Sequence, residues 1–212
     1  MALAVDTYEL GPIGTNCYVV RRDPGAPEAV VVDPGGDADR LRNELARVGA
    51  RCAAILVTHG HPDHLGGVAE LAGGTGAPVY MPEGERSQLE SPNPEFAAQF
   101  GVRAYTPDIL LAGGETVEAA GIAFEVVSVP GHSPAHLAYH ADGALFSGDV
   151  LFAGSVGRTD LPGSDWETLL ASIQELIARF PADTVVYPGH GPETTLGAEL
   201  ARNPFLSELR AS

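Results

Sequence analysis

Thr58-His59-Gly60-His61-Pro62-Asp63-His64 places three imidazoles and a carboxylate within a few residues of one another. Few uses of a chain other than metal ligation call for such a density of nitrogen and oxygen donors, and both types suit a borderline cation such as Zn²⁺. Upstream, Ala53-Ala54-Ile55-Leu56-Val57 is an apolar run of strand length. Downstream, Leu65-Gly66-Gly67-Val68-Ala69 opens a helix, with Pro62 just inside the turn. The donors therefore project from a strand-to-helix loop held between two rigid elements. The plain alternative is a polar loop with scattered histidines.

Further donors occur in turns that follow strand-like runs. Val129-Pro130-Gly131-His132-Ser133-Pro134 offers His132, Phe146-Ser147-Gly148-Asp149 offers Asp149, and Tyr187-Pro188-Gly189-His190-Gly191 offers His190. Glycine or proline beside each one sets a tight turn at a strand end, from which a rigid scaffold can aim a side chain. Taken singly, each is an ordinary loop residue. Taken with the first cluster, they make a donor set larger than one tetrahedral zinc uses, and such a set suits two metals sharing a bridge.

The 212 residues are 44% hydrophobic, enough for a sizeable core in one domain spanning 1–212. A formal charge of -16 repels a nucleic-acid backbone, so no nucleic-acid partner is expected. All 12 basic residues are arginine, which with abundant Ala, Gly and Pro hints at a GC-rich bacterial genome. No charged segment followed by an apolar one opens the chain, and no apolar run approaches the ~18 residues of a membrane span. A cytoplasmic protein without membrane contact is the expectation. Cys17 and Cys52 sit in apolar strand-like runs and read as free buried thiols.

Thr7–Leu10 and Asn16–Val20 look like paired strands, and residues 30–32 form a strand ending in the turn Asp33-Pro34-Gly35-Gly36. The periodicity predicts helices over 37–48, near 65–72, over 166–180 with Asp165 as N-cap, and over 194–202. Strands are expected around 78–81, over 122–129 and at 185–187, and a hairpin joins 137–140 to 144–147 around Asp142-Gly143. Residues 82–107 have weak periodicity and read as a surface excursion in preference to a mobile lid. Strands clustered in two groups, each followed by helices, suggest an α+β fold with two sheets face to face and helices outside.

The chain resembles the metallo-β-lactamase superfamily, whose His-x-His-x-Asp-His signature is matched by His59, His61, Asp63 and His64. The resemblance extends from the Asp33-Pro34-Gly35 turn through His190. It implies a four-layer αββα sandwich with the metals at one edge of the sheets. By similarity, His59, His61 and His132 hold one metal, Asp63, His64 and His190 hold the second, and Asp149 bridges. Asp33 is implied as a residue behind the ligands that orients a histidine. His136 and His140 match no family ligand. His140 is expected on a strand, exposed or half-buried, and His136 is a candidate to line the cleft.

Within the superfamily, a bridging Asp149 argues against the penicillin-hydrolysing branch. Neither size nor charge fits the nuclease branch. The segments around Gly157-Arg158-Thr159-Asp160, Gly189–Thr195 and Asn203-Pro204-Phe205-Leu206 resemble the short glyoxalase II-like hydrolases. These imply a small-molecule thioester substrate, two divalent metal ions (Zn²⁺, with Fe or Mn as alternatives), and attack by a metal-bound hydroxide, with Asp63 able to accept a proton. Arg158 would hold a carboxylate of the thiol. Only Gly191–Ser212 follow His190, leaving no room here for the helical C-terminal domain of longer glyoxalase II enzymes. The thiol is therefore open, glutathione or another such as mycothiol. A persulfide dioxygenase-like oxygenase, with one iron on His59, His132 and Asp149, is the alternative. A non-catalytic metal-binding domain is a further one. A monomer or homodimer is expected.

Overall fold

The computed structural model describes residues 3–210. Its first sheet has the order β1 (Ala4–Leu10), β2 (Thr15–Arg21), β3 (Glu28–Val32), β4 (Arg51–Leu56), β5 (Val79–Pro82) and β6 (Ile109–Leu111). β1 to β3 pair antiparallel and β3 to β6 parallel. The helices α1 (Ala38–Arg47), α2 (Pro62–Leu65), α3 (Val68–Thr75), α4 (Ser87–Glu90) and α5 (Pro94–Phe100) belong to this half. The second sheet uses β7 (Thr116–Ala119), β8 (Ile122–Ser128), β9 (Leu137–Ala141), β10 (Ala144–Gly148), β13 (Val185–Pro188) and β14 (Thr194–Thr195), in the order β14-β13-β10-β9-β8-β7. A separate two-stranded ribbon joins β11 (Leu151–Phe152) to β12 (Ser155–Val156), and α6 (Trp166–Arg179) and α7 (Leu196–Arg202) complete the chain's helices in this half.

Four layers follow from the two-residue period of strands that are buried on both faces. Along β2, Cys17 and Val19 face the core under α1 and α3, while Tyr18 and Val20 face the second sheet. On β3 the same split separates Val31 from Val30 and Val32. β8 sends Phe124 and Val126 between the sheets and Val127 outward to α6. β4 obeys the rule only after a register shift opposite Ala29 and Val30. That irregularity explains why Cys52 and Ala54, two apart, lie in different cores.

Both halves end their strands at one edge. β8 and β10 each pair antiparallel with β9, and β10 runs parallel to β13, so all three finish on the same side. Hydrogen bonds from side chains and backbone amides stitch the sheets together there. Asn16 donates to the carbonyls of Pro188 (2.9 Å) and Gly191 (2.8 Å), its backbone N–H donates to Gly189 (2.7 Å), and the Tyr139 hydroxyl donates to Val57 (2.8 Å).

Several boundaries differ from the sequence expectation. The helix expected near 65–72 is two helices, α2 and α3, separated at Gly66-Gly67, where backbone packs too closely for side chains. Thr194 and Thr195 are strand, and Thr195 then caps α7 by accepting from the Ala198 N–H. The hairpin at Asp142-Gly143 is as expected, with both residues at positive φ (46° and 80°), as a type I′ turn demands. Residues 82–107 are no plain surface excursion, since they carry α4 and α5 and lead into β6. Their short helices hide a periodicity that the contacts of Leu89, Ala97 and Phe100 with the core make real. Cys17 and Cys52 are buried and free.

Phe124 is wholly buried between the sheets against Phe146. Phe124→Ala should lower unfolding stability by about 3–5 kcal/mol in urea denaturation, the range for a large ring removed from a packed core. A loss below about 1 kcal/mol would mean that the interlayer core repacks freely.

Candidate metal centre

His59, His61, Asp63 and His64 leave the end of β4, His132 follows β8, Asp149 follows β10, and His190 follows β13. The fold brings all seven together. His61 Nδ1 lies 3.0 Å from His59 Nε2 and 2.8 Å from His132 Nε2. Asp63 Oδ2 lies 3.2 Å from His190 Nε2 and 3.4 Å from His64 Nε2. Asp149 reaches both groups, with Oδ2 3.6 Å from His132 Nε2 and 3.6 Å from His190 Nε2. His59, His61 and His132 form one set able to hold a metal ion, Asp63, His64 and His190 another, and His59, His64 and Asp149 a third between them. The fit to a cation has a direct sign: His64 Nε2 and Asp149 Oδ1 face each other at 3.4 Å, buried, with no hydrogen-bond partner.

The outer nitrogens of His59, His64 and His132 are tied down, which turns their other nitrogens inward. His132 Nδ1 donates to the Arg158 carbonyl (2.9 Å) and His64 Nδ1 to Asp33 Oδ2 (3.0 Å). The Thr58 hydroxyl gives its proton to Asp33 Oδ2 (2.7 Å), so it can accept from His59 Nδ1 at 3.0 Å. Asp33 thus serves two of the histidines, one directly and one through Thr58. Close backbone approach is needed as well: a Cβ added at Gly189 would lie 2.1 Å from Asp149 Oδ1, and one at Gly35 would lie 2.1 Å from the Asp63 carbonyl.

Electrostatics divide the histidines. Burial, with the neighbouring His132 and His64, pulls His61 down to about 4 and likewise holds His59 well below its ordinary value. Both are neutral at pH 7, ready to ligate. Burial pulls His64 down too, but Asp33, Asp63 and Asp149 around it win and hold it well above its ordinary value. The hydrogen bond with Asp63 raises His190. Against the opposing effect of burial, His64 and the other imidazoles bring Asp149 down to about 2, and His64, His190 and the Thr15 hydroxyl hold Asp63 well below the usual carboxylate range.

Some residues at this site were not legible beforehand. Thr15 donates to Asp63 Oδ2 (2.8 Å). Glu85, buried and inside the stretch read as a surface excursion, accepts from the Gly60 N–H, the Ser133 hydroxyl and the Ala135 N–H, and so joins the His59 and His132 loops. His136 does not line the cleft. It lies buried beneath, stacked on His59 at 4.5 Å, and its Nε2 accepts from the Asp149 N–H (3.2 Å). His140 is far from this cluster in contacts, half-buried and stacked on Phe180. A cleft of about 800 Å³ opens over the donors, walled by Ile13, Phe96, Phe100, Phe152, Val156 and Leu161. Arg158 also lines it, but its Nε and Nη2 bind the Asp160 carboxylate at 2.7 and 2.8 Å, the surface ion pair that competes with a role in substrate binding.

Residues 10–190 match the model of the metallo-β-lactamase superfamily. The chain is 36% identical over 198 residues to hydroxyacylglutathione hydrolase GloC of Haemophilus influenzae, covering 91% of this chain and 92% of that protein. The crystal structure of BLEG-1, a B3 metallo-β-lactamase, is 42% identical with a TM-score of 0.87, covering 96% of this chain and 100% of that one. TTHA1623 in a di-iron-bound form is 39% identical with a TM-score of 0.81, covering 95% and 100%. Among the described residues, no helix is long and apolar enough to cross a membrane.

Because His64 and His190 are held above their ordinary values, a cation must displace protons from them. Affinity for Zn²⁺ should therefore rise as pH increases through those raised values, with protons released on binding. Calorimetry in buffers of different ionisation enthalpy measures this. Binding that is independent of pH and releases no proton would contradict the assigned protonation.

Proposed function

The chain belongs to the metallo-β-lactamase superfamily, and from that premise we propose that it is a binuclear metallohydrolase that cleaves thioesters of a small thiol. The observation that carries this reading is the position of Asp149, whose Oδ2 is equidistant at 3.6 Å from His132 of one donor set and His190 of the other. His59, His61 and His132 would hold one cation, Asp63, His64 and His190 the second, and Asp149 would be shared. Cations in such a site polarise a carbonyl and make hydroxide available near pH 7, with zinc the expected metal and iron or manganese compatible with the same donors.

The chain's own residues supply the rest. Thr15 and His190 hold Asp63 Oδ2 in place, where a carboxylate can take a proton from an attacking water. A thiol of pKa ~8.5 departs as thiolate without a strong general acid. Four candidate nucleophiles among the described residues are unsuited to the role. Burial raises the Cys17 thiol and pushes Cys52 up to about 11, and the Ser133 and Ser147 hydroxyls are occupied with Glu85 and backbone carbonyls. The aromatic and aliphatic cleft wall suits a substrate with substantial apolar surface. The likeness to GloC supports thioesters as the substrate class. The likeness to BLEG-1 favours a β-lactam amide as a second reading, the di-iron-bound form of TTHA1623 supports a site for two cations that accepts iron, and a persulfide dioxygenase-like oxygenase on one iron is the alternative.

Turnover of acyl thioesters, a penicillin, and a thiol persulfide with O₂ uptake recorded should separate the three. Thioester hydrolysis without O₂ uptake, and faster than penicillin hydrolysis, is expected. O₂ uptake with the persulfide, or penicillin as the better substrate, would overturn the reading. Asp149→Ala should reduce thioester turnover on the order of 10³-fold, the scale on which single transition-state groups act. Near-normal turnover in a folded variant would exclude a shared carboxylate.

A further inference from the structure

Beside His61 a second, smaller pocket of about 280 Å³ lies next to the main cleft. His61, Pro62, Gln88 and Phe96 line both spaces, so the two adjoin beside one of the metal donors. Its walls are Leu65 from α2, Pro92, Phe96 and Ala97 from the α5 region, and Val102. Leu65 and Val102 are buried, whereas Phe96 is 51% exposed and closes the outer side. Polar groups are few here. Asn93 Oδ1 is already taken by the Glu95 N–H, and Gln88 lies against the backbone of Gly60.

Resting on the thioester reading, we propose that this pocket receives the acyl group and that the enzyme prefers bulky apolar acyl groups, such as an arylacetyl or branched chain. A thioester carbonyl held at the donors has two substituents, and the cleft offers two directions from that point. One runs past Phe152 and Val156 to the exposed Arg158. A thiol half rich in amides and charge keeps its hydrogen bonds to water there. In the side pocket the same groups would be stripped of water with few replacement partners. An aryl or branched alkyl group has nothing to lose and gains by burial against Leu65, Phe96 and Val102. The acyl half therefore belongs beside α5 and the thiol half beside Arg158.

The test uses the two product acids, acetate and phenylacetate, as probes of the Zn²⁺-loaded protein by calorimetry. Both present the same carboxylate to the donors and differ in the group that would enter the pocket. Phenylacetate should bind about tenfold to a hundredfold more tightly, the range given by burying one ring. Ala97→Trp fills the pocket and should bring that ratio close to one, while Phe96→Ala, at an exposed position that tolerates truncation, should lower it by a smaller factor. A wild-type ratio near one overturns the proposal, as does a ratio that persists in folded Ala97→Trp. If that variant does not fold, an unchanged ratio in Phe96→Ala overturns it equally. Turnover of acetyl and phenylacetyl thioesters of one thiol separates the two readings. Hydrolysis without acyl preference removes the pocket and keeps the hydrolase, whereas selective acid binding without thioester turnover removes the hydrolase and keeps the pocket.

Discussion

Asp33 ends β3 in a left-handed backbone conformation (φ 49°), and its carboxylate accepts from the Thr58 N–H at 2.8 Å, the Thr58 hydroxyl at 2.7 Å and His64 Nδ1 at 3.0 Å. Such a backbone conformation is unfavourable by about 1–3 kcal/mol for a residue other than glycine, and persists only where surrounding contacts over-determine it. Here those contacts are the ones that fix the inner faces of His59 and His64. With Asp33 in place, both rings have their outer nitrogens occupied and present their inner nitrogens toward the cation site. Without it, His64 loses the acceptor of its outer nitrogen and Thr58 loses the acceptor that lets it receive a bond from His59.

The rest of the architecture delivers other donors to that anchor. Buried sheets put the ends of β8, β10 and β13 at the same edge as the ends of β3 and β4, and Asn16, Tyr139 and Glu85 bind loops of separate elements to one another. Each is a hydrogen bond between a buried side chain and a loop backbone or hydroxyl, the kind of contact that removes freedom from a loop at little steric expense. The result is a donor cluster held on its inner side by buried hydrogen bonds and bounded outside by apolar side chains such as Phe96 and Ile13, both more than half exposed.

What the sequence disclosed followed contact range. The donors of the Thr58–His64 loop were evident because spacing alone puts them together, and the Asp142-Gly143 hairpin because its turn chemistry is local. The two-sheet arrangement was legible from the grouping of strands, and Asp165 from its place before an amphipathic run. Asn16 meets Pro188 across 172 residues, and Glu85 meets Ser133 across 48, pairings that no local pattern announces. The β11–β12 ribbon has strands of two residues, too short for any periodicity. Residues 82–107 looked featureless because α5 buries no residue completely and packs only by the edges of Ala97 and Phe100. For Arg158, the residue type suggested a carboxylate partner, and it has one in its own neighbour, Asp160.

The metal content of the purified protein and of Asp33→Ala, measured by elemental analysis with circular dichroism as a check of the fold, bears most directly on this account. Two equivalents in the unaltered chain and fewer than one in a folded Asp33→Ala variant are expected, because the variant leaves His59 and His64 without their orienting acceptor. Two equivalents retained by the variant would show that the donors organise themselves without Asp33 and would contradict it.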